Sequence, residues 1–426
     1  MAHRAGKDIY RKLGKKIDGL TVRAPWNQTL YRILKELYTP REAEILVRMP
    51  DGLSSLDRMK RATRMDECEL LIALEDLCEK GLVFDVQVKD KIFYAPAPMV
   101  VGIFEMTMMR TRGELRQAEW ARLFHEYLHG DHSFYAANFG HGERTSVMRA
   151  LPHEVAFESD SQVEILDYEK ATSIIENTDK FSIGLCSCRH EKLHVGEKSC
   201  ETPLETCSSF GNGALTMVRH GFARQVSRHE MLDNLARAKE LKLTLTADNV
   251  QKRVGFMCFC CGCCCNLMLG VRKHGYPNTI VTSSFISQID AEKCTACEKC
   301  AKACPIQAIQ MVPIPNPTTK KTKNPIVDEN ICLGCGVCAL ACHKQAVTLT
   351  KRAQRVLHPE TTFERVILQS LERGNLQNML FAEPEKMTHQ VLRGLVGGFL
   401  RLPPVNQALM SDSLRSRFLA ALHSVA

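Results

Sequence analysis

Between residues 290 and 350 the chain carries one cysteine spacing twice, "CTACEKCAKACP" and "CLGCGVCALACH". Each reads C-x2-C-x2-C-x3-C, with Cys294, Cys297, Cys300 and Cys304 in the first copy and Cys332, Cys335, Cys338 and Cys342 in the second. The flanks repeat as well, "DAEKC…CPIQAIQM" against "DENIC…CHKQAVTL". A whole structural unit is therefore duplicated, not a cysteine string alone. Strings of closely spaced thiolates are ligands for soft metals, and they fix the course of the backbone around whatever they hold.

This duplicated pattern resembles the bacterial-type two-cluster, 2[4Fe-4S], ferredoxin domain, a pseudo-symmetric pair of strand–helix units. The resemblance implies that three cysteines of each copy hold one cubane while the fourth serves the other. Carried over here, cluster I takes Cys294, Cys297, Cys300 and Cys342, and cluster II takes Cys332, Cys335, Cys338 and Cys304. The second copy departs from the pattern with His343 in place of the proline that follows the first copy, Pro305. That exchange restores a backbone N–H near the cluster sulfurs. The insertion "VPIPNPTTKKTKNP" between the copies is rich in proline and lysine and is expected to project as a loop.

A second concentration of cysteine lies upstream. "CSCRHEKLHVGEKSCETPLETC" holds Cys186, Cys188, Cys200 and Cys207, and "GFMCFCCGCCCNLMLG" places Cys258, Cys260, Cys261, Cys263, Cys264 and Cys265 within eight positions. Disulfides are a poor explanation, because bonded cysteines need Cα separations and directions that sequence neighbours seldom offer. The combined pattern is similar to that of an uncharacterised family of cysteine-rich iron–sulfur proteins of anaerobic bacteria, over residues 160 to 350. One or two additional Fe–S clusters are the economical reading of these ten cysteines, with zinc and metal-free thiols as alternatives. Adjacent cysteines point in different directions, so all six thiols of the run cannot face one cubane. Some are expected to ligate a cluster while others turn toward the 186–207 group or pack as apolar side chains. Gly262 would permit the tight backbone, and a helix starting near Asn266 would direct its N-terminus at the cluster. His190, His194 and His220 read as ordinary surface residues.

Twenty cysteines in 426 residues suit a reducing compartment and metal binding better than a disulfide framework. The N-terminus has no apolar signal region and no apolar stretch reaches the ~18 residues of a spanning helix, so a cytoplasmic protein without a transmembrane segment is expected. The net charge of +8 concentrates in a tail holding Lys7, Arg11, Lys12, Lys15 and Lys16 and in a loop with Lys320, Lys321 and Lys323. Both read as solvated runs.

The expected architecture is α+β and multidomain. A basic tail occupies residues 1–25 and a winged helix residues 26–98. A helical, then cysteine-rich α/β domain spans 99–285, the 2[4Fe-4S] ferredoxin domain 286–352, and a helical tail 353–426. The winged-helix reading rests on three features. Thr39, Pro40 and Glu42 form a capping-box pattern, the helix "RMDECELLIALEDLCEKG" closes at Gly81, and a hairpin turns at Lys89-Asp90. Cys68 and Cys78 are expected to pack as small hydrophobes. The helix that would enter a major groove carries Asp66, Glu67, Glu69, Glu75, Asp76 and Glu79. Phosphate contacts dominate DNA affinity, so this face argues against DNA as a partner. "HEYLH" at His125–His129 matches H-E-x-x-H, but Gly130 and Asp131 end the helix at once and a metalloprotease site is set aside. Ser227 and Glu230 form a second capping box, heading a helix between the two cysteine groups.

These features point to an iron–sulfur electron-transfer protein, relaying single electrons between redox partner proteins. No nucleotide-binding glycine signature is present for hydride uptake. One rival is an Fe–S-sensing transcriptional regulator that uses the winged helix. Another is an oxidoreductase subunit with an unusual cluster at 258–265.

Overall fold

The computed structural model describes residues 2–157, 164–315, 321–383 and 386–411, with 415–416, 418–419 and 422. Lys320, the centre of the proline-rich insertion and the break at Pro384 lie outside the described residues. The chain divides into two compact units. One comprises residues 1–145, 219–222 and 362–426, the other 146–218 and 223–361. Among the described residues no helix is long and apolar enough to cross a membrane.

The first unit is mainly helical. The segment expected to be a free basic tail is a helix, Ala2–Asp18, because Tyr10, Leu13 and Ile17 recur at helical spacing and are buried. Lys16 lies on that inner face and forms a buried ion pair with Asp51 at 2.5 Å. Helices Gln28–Leu37, Pro40–Arg48, Leu56–Thr63 and Glu67–Glu79 follow. The capping box forms as expected: the Thr39 amide donates to the Glu42 carboxylate at 2.8 Å, and the Glu42 amide donates to the Thr39 hydroxyl.

A three-stranded antiparallel sheet completes this region, built from β1 (Ser54–Ser55), β2 (Val83–Val88) and β3 (Lys91–Pro96) in the order β1-β3-β2. Lys89, at φ 55°, makes the hairpin turn. Cys78 is buried beneath it, whereas Cys68 is exposed on the outer face of its helix beside Glu69 and Ile72. Glu126 of "HEYLH" accepts a hydrogen bond from Thr29 at 2.7 Å and pairs with Arg32, a structural use of that carboxylate. His220 is buried and bonded to Asp85 at 3.0 Å rather than lying on the surface. The C-terminal helices Thr362–Glu372, Leu376–Leu380, Met387–Leu400 and Pro403–Met410 belong to the same unit. Asn378 donates to the Gly19 carbonyl at 2.9 Å and Arg393 pairs with Asp51 at 2.5 Å, polar ties between these helices and the N-terminal part of the unit. Helix Met387–Leu400 leaves Met387, Val391, Leu395 and Phe399 exposed as an apolar stripe.

The second unit is organised by a six-stranded antiparallel sheet of β4 (Met148–Ala150), β5 (Phe181–Leu185), β6 (Glu205–Phe210), β7 (Ala223–Val226), β8 (Thr244–Asp248) and β9 (Phe256–Cys260). Its order is β4-β8-β9-β6-β5-β7. Strand parity decides what each face does. Ile183, Phe210, Leu245, Ala247, Met257 and Phe259 join Ile174, Met231 and Leu235, from helices Ala171–Glu176 and Arg228–Glu240, in one apolar core. Of the capping box expected on the second helix, one half forms: the Ser227 hydroxyl accepts from the Glu230 amide at 3.2 Å, while the Glu230 carboxylate pairs with Arg224 at 2.5 Å.

The duplicated cysteine segment adds β10 (Phe285–Ile289) paired with β13 (Val347–Lys351), and β11 (Ile309–Pro313) paired with β12 (Lys323–Val327). Short helices Lys299–Ala303 and Val337–Leu340 lie in the two repeats. The insertion is thus anchored at both ends by a hairpin, where a free loop was expected from Val312 onward. Ile289, Ile309, Val327 and Val347 pack with Cys300 and Cys338 in a core shared by the two halves.

Candidate metal centres

The two repeats fold by the same device. Ala296 and Glu298 have φ of 56° and 64°, and Gly334 and Gly336, at matching positions, have 65° and 81°. Alternating left-handed residues curl each loop so that its three thiols turn inward. Such a conformation is costly for residues with a Cβ. The second copy needs glycine for a further reason. A Cβ on Gly334 would lie 2.0 Å from the Phe285 carbonyl oxygen, and one on Gly336 would lie 2.7 Å from Ala156. The body of the unit packs on this loop, and the His153 amide donates to the Cys335 carbonyl at 3.0 Å. Ala296 and Glu298 can keep their side chains because the first loop faces outward, with Cys297 exposed.

The structure gathers Cys294, Cys297 and Cys300 with Cys342 around one small cavity that Met311, Pro325 and Lys344 also line. Cys304 has Cys332 as its electrostatic neighbour, and Cys335 and Cys338 both feel Cys304 and Cys332. Backbone amides point at sulfur throughout: Ala296 to Cys294 at 3.4 Å, Ala308 to Cys304 at 3.2 Å and Ala346 to Cys342 at 3.3 Å. The Ser287 hydroxyl lies 3.0 Å from the Cys338 sulfur. Donors of this kind stabilise thiolate ligands and tune potential, so both donor sets suit an anionic cubane. The two environments differ. The amide of Lys299 holds the exposed Cys297 thiol below its usual range, whereas burial pushes Cys338 up to about 12. His343 is exposed.

The ten upstream cysteines separate into two groups, and strand parity explains how. Met257 and Phe259 face the apolar core, so Cys258 and Cys260 face the opposite side of β9. Cys207 of β6 points the same way and meets Cys258. Cys186 and Cys188, at the start of helix Ser187–His194, and Cys265, just before helix Asn266–Arg272, close the basin. Cys265 contacts both Cys188 and Cys260. Hydrogen bonds from Cys258 and Cys265, then from Thr246, hold Cys260 well below its usual value, the Arg189 charge adding to them. Cys261, Cys263 and Cys264 turn away with the tight turn after β9 and meet Cys200, their sulfurs all within 4.8 Å of one another. A hydrogen bond from Cys264, with the Arg189 guanidinium, pushes Cys261 down to about 5.

Arg189 stands beside both groups and was not singled out in the sequence, although it directly follows the C-x-C of "CSCR". It is 1% exposed and donates to the Thr206 hydroxyl at 2.5 Å and to the Phe259 carbonyl. Burial alone would depress its guanidinium, but the thiols of Cys186, Cys261 and Cys260 raise it. One fixed cation thus serves both thiol groups. Further along the same helix Lys192 and Glu191 form a fully buried ion pair at 2.6 Å, and Asn266 donates to Glu191 at 2.7 Å, tying together the helices that carry Cys188 and follow Cys265. His190 is buried, its Nε2 3.0 Å from that of His194, which corrects the surface reading for His190, whereas His194 is exposed as expected.

The cysteine turn also touches the duplicated segment. A Cβ on Gly262 would lie 2.6 Å from the Pro305 oxygen and 2.9 Å from its Cα, directly after Cys304. Backbone cannot yield as a flexible side chain can. Gly262→Ala is therefore expected to cost about 1–3 kcal/mol, as overpacking does. A lower thermal midpoint together with faster iron loss to a chelator would check this, and wild-type behaviour in both would contradict the close packing.

Residues 293–352 match the family model of the 4Fe-4S dicluster domain. No curated protein and no solved structure matches the chain. The matched segment covers both cysteine repeats, so the chain contains an iron–sulfur domain that binds 4Fe-4S cofactor and carries a redox role.

Proposed function

We propose that this chain is an iron–sulfur electron-transfer protein that passes single electrons between a donor and an acceptor protein in the cytoplasm. The observation that carries this reading is the pair of cysteine repeats, matched over 293–352 and lined with N–H···S donors. Cluster I falls to Cys294, Cys297, Cys300 and Cys342, and cluster II to Cys332, Cys335, Cys338 and Cys304. The common cavity of the first four and the electrostatic neighbourhood of Cys304 support this crossing. When bound, such clusters store and release one electron each. The chain's own residues set direction. Exposed Cys297 brings the first site to solvent, while buried Cys332, Cys335 and Cys338 keep the second inside, on the side where Pro305 meets the cysteine turn. The six-thiol basin of Cys186, Cys188, Cys207, Cys258, Cys260 and Cys265 is a site for one further Fe–S cluster, in keeping with the likeness to cysteine-rich iron–sulfur proteins of anaerobic bacteria.

The helices and hairpin of residues 26–98 fit a winged helix used for protein docking. Its outer helix face exposes Glu69, Glu75, Asp76 and Glu79 beside Leu71 and Ile72, a surface ill suited to phosphates. A second reading, an oxidoreductase subunit with its active centre in the basin, is favoured by one fact: six thiols exceed the four that a cubane takes.

Potentiometric titration of the anaerobic full chain with one-electron mediators, followed by EPR, tests the relay. Reversible single-electron steps are expected, with no direct reduction by NADH. A two-electron step, or reduction by NADH alone, would refute it.

A further inference from the structure

We infer that Cys200, Cys261, Cys263 and Cys264 form a separate, mononuclear tetrathiolate site for zinc, distinct from every cluster site above and independent of the electron-relay reading. The distances decide the nuclearity. The Cys200 sulfur lies 3.6 Å from that of Cys261 and 3.9 Å from that of Cys264, and the Cys263 and Cys264 sulfurs are 3.5 Å apart. All four lie within 4.8 Å of one another. Four sulfurs bound tetrahedrally at the usual Zn–S length of about 2.3 Å stand about 3.8 Å apart. A cubane sets a separate iron atom beneath each thiolate and spreads the four sulfurs beyond this spacing. Disulfides are likewise too short for these separations, at about 2.05 Å.

The sequence positions suit a structural ion. Cys200 comes from the loop after helix Ser187–His194, and the other three come from one tight turn after β9. A single ion would join two segments that share no strand pairing. It would also hold rigid the turn whose Gly262 rests on Pro305. The Arg189 cation beside Cys261 offsets part of the charge of four thiolates on a divalent ion. Zinc is favoured over ferrous iron because the same thiolate set binds it more tightly in the Irving–Williams order. Cys258, Cys260 and Cys207 are turned by strand parity to the face of the sheet opposite its apolar core and meet Cys186, Cys188 and Cys265 there, so the basin is a separate thiol group.

The experiment uses the full chain purified anaerobically, with elemental analysis and zinc K-edge X-ray absorption. About one zinc per chain is expected, surrounded by four sulfurs at about 2.3 Å and with no iron neighbour. The double variant Cys200→Ser/Cys263→Ser should lose that zinc while keeping its iron and inorganic sulfide. Cys258→Ser, in the basin, should keep it. Wild-type protein without zinc, zinc with fewer than four sulfur neighbours, or loss of about four irons in the double variant would each overturn the assignment. The wild-type absorption spectrum decides the matter even if the double variant fails to fold.

Discussion

Replacing Cys304 with alanine is expected to abolish the cluster of Cys332, Cys335 and Cys338 and to leave intact the one held by its own sequence neighbours. The reason is directional. Cys304 ends helix Lys299–Ala303, its sulfur accepts the Ala308 amide, and its electrostatic partner is Cys332, whereas Cys300 feels Cys294 and Cys342. About half of the iron bound by residues 293–352 should be lost, and the remaining reduced cluster should give an EPR signal free of coupling to a second centre. Cys342→Ala should do the reverse. Loss of the Cys294 cluster alone in Cys304→Ala would show that each repeat holds its own cluster.

Arg189→Met is expected to empty much of the upstream cysteine region. The guanidinium is buried among thiols of both groups, so its removal leaves acidic sulfurs without their cation, and breaking such a buried arrangement costs about 3–5 kcal/mol. Arg189→Lys should rescue poorly, because one ammonium cannot reach Thr206, Pro203 and Phe259 together as the planar fork does. The measurement is metal and sulfide content beside the thermal midpoint. Retention of both by Arg189→Met would mean that the thiols need no fixed counter-charge.

The duplicated segment was legible in the sequence because its information is local: three thiols, two left-handed positions and one departing cysteine lie within a dozen residues. The partition of the other ten cysteines was not. It depends on the register of β6 against β9, and on Cys200 arriving from 61 residues before Cys261. A period-two signal was nevertheless present in "FMCFC", where Met257 and Phe259 alternate with Cys258 and Cys260. The run of six was expected to split, with a tight turn at Gly262 and a helix near Asn266, but which thiol goes to which group follows only from its being a strand, a turn and a helix start. The basic N-terminal segment misled for a related reason. Its lysines dominate the composition, while Tyr10, Leu13 and Ile17 decide where the helix goes. The helical units gave clearer signals, since the caps at Thr39 and Ser227 rest on residues only three positions apart.

The central claim, that the repeated cysteines carry two cubanes that take up single electrons, is tested most directly by iron and inorganic-sulfide analysis of the anaerobic full chain together with EPR of the reduced protein. The account predicts at least eight irons per chain with matching sulfide, and a reduced spectrum broadened by coupling between two neighbouring one-electron centres. Four irons or fewer, iron without sulfide, or clusters that form but resist reversible one-electron reduction would contradict it.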